Sequence, residues 1–157
     1  MRLRTPIAPL PDGRYRLRLD GGERELVRGL CTELEELIRS DDAGVARLFP
    51  PGYRDDDEAA EEFSQLVHPG LREQRLASLE VVARSLDEDT LSQAEAEAWC
   101  GALNDLRLVL GERLGVTEDL DLGALSLLRH PQARELALYG WLTAVQSAAV
   151  EALASRL

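Results

Sequence analysis

The sequence predicts a mainly α fold: a single-domain bundle of about five helices around a central apolar helix, with a short N-terminal β-hairpin or ribbon. Three observations predict it. Five stretches after residue 23 carry apolar side chains at helical spacing, whereas only residues 14–19 alternate with the two-residue period of a strand. One of the helical stretches, 92–114, is apolar around most of its circumference, which places it inside a bundle. The length of 157 residues, 45% hydrophobic and 30% charged, suits one globular domain with a core of its own. Residues 1–157 therefore read as a single domain, with a basic β-element at 1–20 and a helical body at 23–157.

Arg14-Tyr15-Arg16-Leu17-Arg18-Leu19 puts Tyr15, Leu17 and Leu19 on one face and three arginines on the other. Asp12-Gly13 is a turn signal just before it, and residues 5–10 supply the partner strand. Pro6 and Pro9 confine that partner to an edge, because proline has no N–H to give to a ladder. Gly21-Gly22 breaks the strand, and a helix over 23–39 follows with Leu26, Leu30, Leu34 and Leu37-Ile38 as its stripe. Ser40-Asp41-Asp42 ends it. Residues 47–53 form a rigid connector around Pro50-Pro51.

Asp55-Asp56-Asp57-Glu58 opens the next helix, where acids answer the positive end of the helix dipole; Phe63, Leu66 and Val67 form its stripe. His68-Pro69-Gly70 reads as an interruption, with Pro69 in the first turn of a fresh helix that runs to about residue 86. Its apolar positions are Leu71, Leu76, Leu79, Val82-Ala83 and Leu86. Ser92 and Glu95 have capping-box spacing and start the central helix. Trp99, Leu103, Leu106, Leu110 and Leu114 make its stripe, widened by Cys100, Leu108 and Val109, and Gly115 stops it. Residues 117–130 are a mixed connector with one short helical turn over 124–128. Pro131 opens the last helix, with Leu138, Trp141-Leu142, Val145, Ala149 and Ala152-Leu153 facing inward.

All 18 basic residues are arginine, which fits a GC-rich genome, and 29 acids bring the net charge to −11. Residues 1–18 hold five arginines and one acid, a net +4, so residues 19–157 carry −15. Such a body repels a polyanion, and only the N-terminal segment offers a basic face for nucleic acid. A DNA contact would be weak by itself. With no run of about 18 apolar residues the chain has no membrane span, and with no apolar leader it is expected in the cytoplasm.

No cofactor motif, metal site or catalytic constellation stands out. His68 and His130 both precede proline, and neither has a nucleophile or carboxylate at a recognised motif distance. Gly21-Gly22 lacks the lysine and third glycine of a phosphate loop. Asp119 and Asp121 resemble only a fragment of a calcium loop, and the acidic run 55–62 reads as a solvated helix start. Cys31 and Cys100, 69 positions apart, read either as inert core thiols or as a redox pair joining the first helix to the central one. Asn104, Asp105 and Arg107 interrupt the apolar central helix and read as a structural polar network, for example with Arg107 paired to an acid of the 55–62 run. Arg14, Arg16 and Arg18 are the candidate contact for an acidic partner or for promoter phosphates. Alternatively, they brace the chain's own acidic helices.

The run from Trp99 through Ala102-Leu103-Asn104-Asp105-Leu106-Arg107 to Val116-Thr117 resembles the signature of a small actinobacterial family. That family, formerly a domain of unknown function, is named for the oxidative-stress transcriptional regulator AosR. Arg47-Leu48-Phe49-Pro50, Tyr53-Arg54-Asp55-Asp56, Glu58-Ala59 and Glu62-Phe63 are similar to its second block, and Trp141-Leu142-Thr143 with Gln146 to its last. The resemblance covers most of the chain from about residue 14. It implies a cytoplasmic, redox-linked transcriptional regulator that works with a protein partner, a sigma factor or RNA polymerase, on stress and cysteine-supply genes. The other reading is a non-enzymatic structural or adaptor protein with no DNA role. Neither sets an oligomeric state, and a homodimer is compatible with both.

Overall fold

The computed structural model describes residues 4–40, 45, 48, 57–115 and 131–157, with 57–69 as backbone. Two strands, β1 (Ile7–Pro9) and β2 (Tyr15–Leu17), lead into helix α1 (Gly21–Arg39) and helix α2 (Asp57–Ser85). Strand β3 (Thr90–Leu91), helix α3 (Gln93–Leu114) and helix α4 (Ala133–Ala154) follow. The fold is mainly α, as the periodicity predicts.

The hairpin forms where alternation and Asp12-Gly13 place it. Gly13 has φ +91, a left-handed conformation that glycine adopts without a Cβ clash. Ile7 pairs with Leu17 and Pro9 with Tyr15, and proline-bearing β1 lies at the sheet edge. Tyr15, Leu17 and Leu19 are buried while Arg14, Arg16 and Arg18 are exposed. The sheet also has a third strand that the sequence does not announce: β3 pairs antiparallel with the far edge of β2. Two residues are too few to show a period, and the pairing arises because β2 has a second edge to satisfy.

Asp20 caps α1, accepting from the Glu23 backbone N–H while the Glu23 carboxylate accepts from Asp20 N. This box starts the helix at Gly21, two residues before the predicted start. The buried face of α1 is Val27, Cys31, Leu34 and Ile38, so the predicted stripe is rotated by about one residue. Leu26 is 41% exposed, and Leu30 and Leu37 sit at the margin of the core. Two overlapping i, i+4 series run along this leucine-rich helix, and docking against α2 and α3 selects the second.

The predicted interruption at His68-Pro69-Gly70 does not occur. Helix α2 is continuous from Asp57 to Ser85, so four helices stand among the described residues where five stretches were read. Proline loses its own N–H bond and its ring crowds the carbonyl four residues back, but a helix held by packing against α1 and α3, with Leu79 and Val82 buried, continues through it.

Helix α3 is the centre, as predicted. Ser92 and Glu95 form the capping box, and Gly115 closes the helix in the left-handed conformation at φ +65. Eight α3 residues are buried, including Trp99, Leu103, Leu106 and Val109, and the helix packs on α4, α2 and α1. Leu110 is only partly buried. Fully buried Trp99 donates from Nε1 to Ser85 Oγ at 2.8 Å, which locks α3 to the end of α2. Among the described residues no helix is long and apolar enough to cross a membrane. The 124–128 turn, most of the 47–53 connector, the side chains of the 55–62 run, and His130 lie outside the described residues, as does the side chain of His68.

Candidate functional site

Strand β2, the entry to α1 and the middle of α4 enclose an open groove of about 1070 Å³. Arg16 and Arg18 reach it from β2 and the residues just beyond, with Arg4 at one end and Arg24 on α1. The strand's alternation explains the placement: burying Tyr15, Leu17 and Leu19 sends the intervening arginines outward. Arg14 lies on the same outward face, but its Nε donates to Thr90 Oγ1 at 3.2 Å and it does not line the groove.

The groove's charges divide into engaged and unengaged groups. Arg24 is a brace: it donates to the carbonyls of Leu19, Leu86 and Glu88 and lies 3.6 Å from Asp89. Asp20 and Glu23 are occupied in the α1 capping box, and Glu23 also accepts from Trp141 Nε1 at 3.0 Å. Among the described residues the side chains of Arg4, Arg16 and Arg18 have no hydrogen-bond or ion-pair partner. The predicted alternative, in which the three strand arginines fold back as a brace, therefore does not describe Arg16 and Arg18. On the far wall Trp141 is half-buried, Ala144 is exposed and Val145 is buried. Trp141 comes from a distant part of the chain, and Arg4 and Arg24 lie outside the strand's alternation, so no spacing rule joins the three to it. The arrangement can hold an anion against an apolar wall.

The polar residues of α3 separate into two networks. Buried Asp105 pairs with Arg75 of α2 at 2.6 Å. Burial pushes its carboxyl up to about 6, while the charge and hydrogen bond of Arg75 act downward. On another side of α3, Arg107 Nη1 donates to Gln146 of α4, and Gln146 Nε2 donates to Asn104 Oδ1 at 3.1 Å. The Arg107 guanidinium also lies 5.6 Å from the centre of the Tyr139 ring, within cation–π range. The described partners of Arg107 are thus neutral groups of α4; the side chains of the 55–62 run lie outside the described residues. Gln146 and Tyr139 meet Arg107 because α4 is the neighbour that faces its side of α3, while its buried Nε has no hydrogen-bond partner among the described residues.

Cys31 is buried and Cys100 half-buried, and both are free thiols. Burial, reinforced by the Glu35 carboxylate, pushes the Cys31 thiol up to about 12; burial raises Cys100 as well. Both therefore stay protonated and weakly nucleophilic near neutral pH. Among the described residues no group of three or more His, Cys, Asp or Glu could hold a metal ion.

The chain resembles proteins of known name. Residues 4–153 match the model of a family described as a domain of unknown function, DUF2017. Proteins named oxidative stress regulator AosR, from Mycobacterium bovis and from two strains of Mycobacterium tuberculosis, are 32% identical over an alignment of 143 residues. That alignment covers 73% of this chain, and the chain spans 63% of the length of these curated relatives. No solved structure matches. With the family model spanning nearly the whole helical body and the β-element, the chain belongs to the DUF2017 family and is AosR-like.

Proposed function

We propose that this protein is a non-enzymatic regulator of the oxidative-stress response, acting on transcription in the cytoplasm through a protein partner such as a sigma factor or RNA polymerase. The observation that carries the reading is the 32% identity to proteins named oxidative stress regulator. The site chemistry supports a contact over a reaction. Asp105, Asn104 and the Arg107 Nη1 of α3 are engaged in pairing, and the unengaged charged groups of the groove are arginines at the surface. With a net charge of −11, direct DNA contact is secondary to partner contact. Transcript profiling after peroxide challenge, in cells with and without the gene, tests the reading. Loss of induction of stress and cysteine-supply genes, restored by the gene, is expected. Identical profiles in the two strains would overturn it.

A further inference from the structure

We propose that the groove between β2, the start of α1 and α4 docks an extended acidic segment of a protein partner. Its carboxylates sit on Arg4, Arg16 and Arg18, and its apolar residues lie against Trp141 and Ala144. The proposal rests on the reading that the protein works through a protein partner, and it names what that partner presents.

Charge complementarity is the first ground. Two of the three acids of the groove, Asp20 and Glu23, are committed to the helix cap and Trp141, and the third, exposed Asp89, lies 3.6 Å from Arg24. Arg4, Arg16 and Arg18 therefore retain their donors for an incoming anion. A guanidinium fork matches a carboxylate in two parallel hydrogen bonds, which favours this pairing over a diffuse charge contact.

Spacing is the second. Arg16 and Arg18 are two positions apart on extended backbone, and the burial alternation runs unbroken from Tyr15 to Leu19. Their outward repeat is about 6.6–6.8 Å, the repeat of side chains on one face of any extended peptide. A peptide with acids at alternate positions meets both arginines in register, and its intervening residues face the wall of Trp141 and Ala144.

Size and sign exclude other occupants. The volume of about 1070 Å³ lies at or beyond the top of the range of about 300–1,000 Å³ usual for small-molecule pockets. Duplex DNA would bring one charge per about 1.7 Å toward a body of net charge −11 that repels it. A short acidic segment enters with few charges and leaves the acidic helices untouched.

Titration of the purified chain with the blocked peptide Ser-Glu-Leu-Glu-Leu-Glu-Ser-Glu, read by tryptophan fluorescence and calorimetry, tests the proposal. Trp141 reports from the groove, whereas Trp99 is fully buried. Saturable binding that weakens with salt is expected, at least about tenfold tighter than for the peptide with glutamine in place of glutamate. Arg16→Glu with Arg18→Glu should weaken it about tenfold or more at unchanged melting temperature, while Arg14→Glu leaves it within about threefold. Ala144→Glu, an exposed helix position that tolerates the change, should also weaken binding by placing a carboxylate in the groove. Failure of the peptide to bind, binding indifferent to Ala144→Glu and to the arginine reversals, or tighter capture of a short duplex DNA than of the peptide would each overturn it. These outcomes are independent of the transcript profile, so the regulatory reading and the groove proposal can fail separately.

Discussion

Replacing Asp105 by asparagine isolates the effect of burying a carboxylate inside the bundle. Asp105 is 1% exposed, and its carboxyl is pushed up to about 6 in the folded protein. In an unfolded chain aspartate ionises near about 3.9. The folded state therefore holds this proton more tightly than the unfolded state does. A carboxyl raised on folding contributes stability at low pH that is lost as pH rises between the two values. The gap of about two pH units corresponds to about 3 kcal/mol, of which about 2 kcal/mol is lost between about pH 4.5 and about pH 7.5. Asparagine does not titrate, so Asp105→Asn removes this dependence and leaves that of every other carboxylate in place. Urea unfolding of both proteins at the two pH values gives the stability difference, wild type minus variant. It should fall by about 2 kcal/mol on going to the higher pH. A pH-independent difference would refute the reasoning. A rise of the same size would mean that attraction to Arg75 outweighs burial.

Arg75→Gln should destabilise more at neutral pH than Arg75→Gln combined with Asp105→Asn, because the single change strands a buried carboxylate; a double-mutant cycle showing no coupling would contradict the pairing. Leu106→Ala should cost about 2–5 kcal/mol by opening a cavity in the central helix, and a loss below about 1 kcal/mol in urea unfolding would contradict its core position. Ser85→Ala leaves the Trp99 indole N–H without its partner and should cost about 1–3 kcal/mol, read as a lower denaturation midpoint. In the native protein at neutral pH both thiols should react slowly with a disulfide reagent, Cys100 before Cys31; rapid labelling of Cys31 would contradict its burial.

The parts of this fold that a local pattern controls were legible in the residue order. The alternation of 14–19 put three arginines outside, the Ser92 and Glu95 spacing placed a helix start, and the breadth of apolar residues on 92–114 marked the central helix. The same capping-box spacing in Asp20 and Glu23 was available as a signal for the start of α1 and was hidden by the adjacent Gly21-Gly22. What could not be read depends on which surfaces meet. Arg75 becomes the partner of Asp105, and Gln146 that of Arg107, only when α2 and α4 pack on opposite parts of α3. Trp141 has the spacing of a core residue, and it lies at the groove because its indole N–H reaches across to Glu23 on α1. Proline at 69 stops an isolated helix more readily than one whose neighbours hold it.

Complementation of a strain lacking the gene with the Arg16→Glu, Arg18→Glu chain tests the central claim most directly: regulation acts through the arginine groove. With the variant accumulating to the wild-type level, the account predicts that peroxide-induced transcripts stay at the level of the deletion strain. Restoration of the full wild-type response by the charge-reversed chain would contradict it.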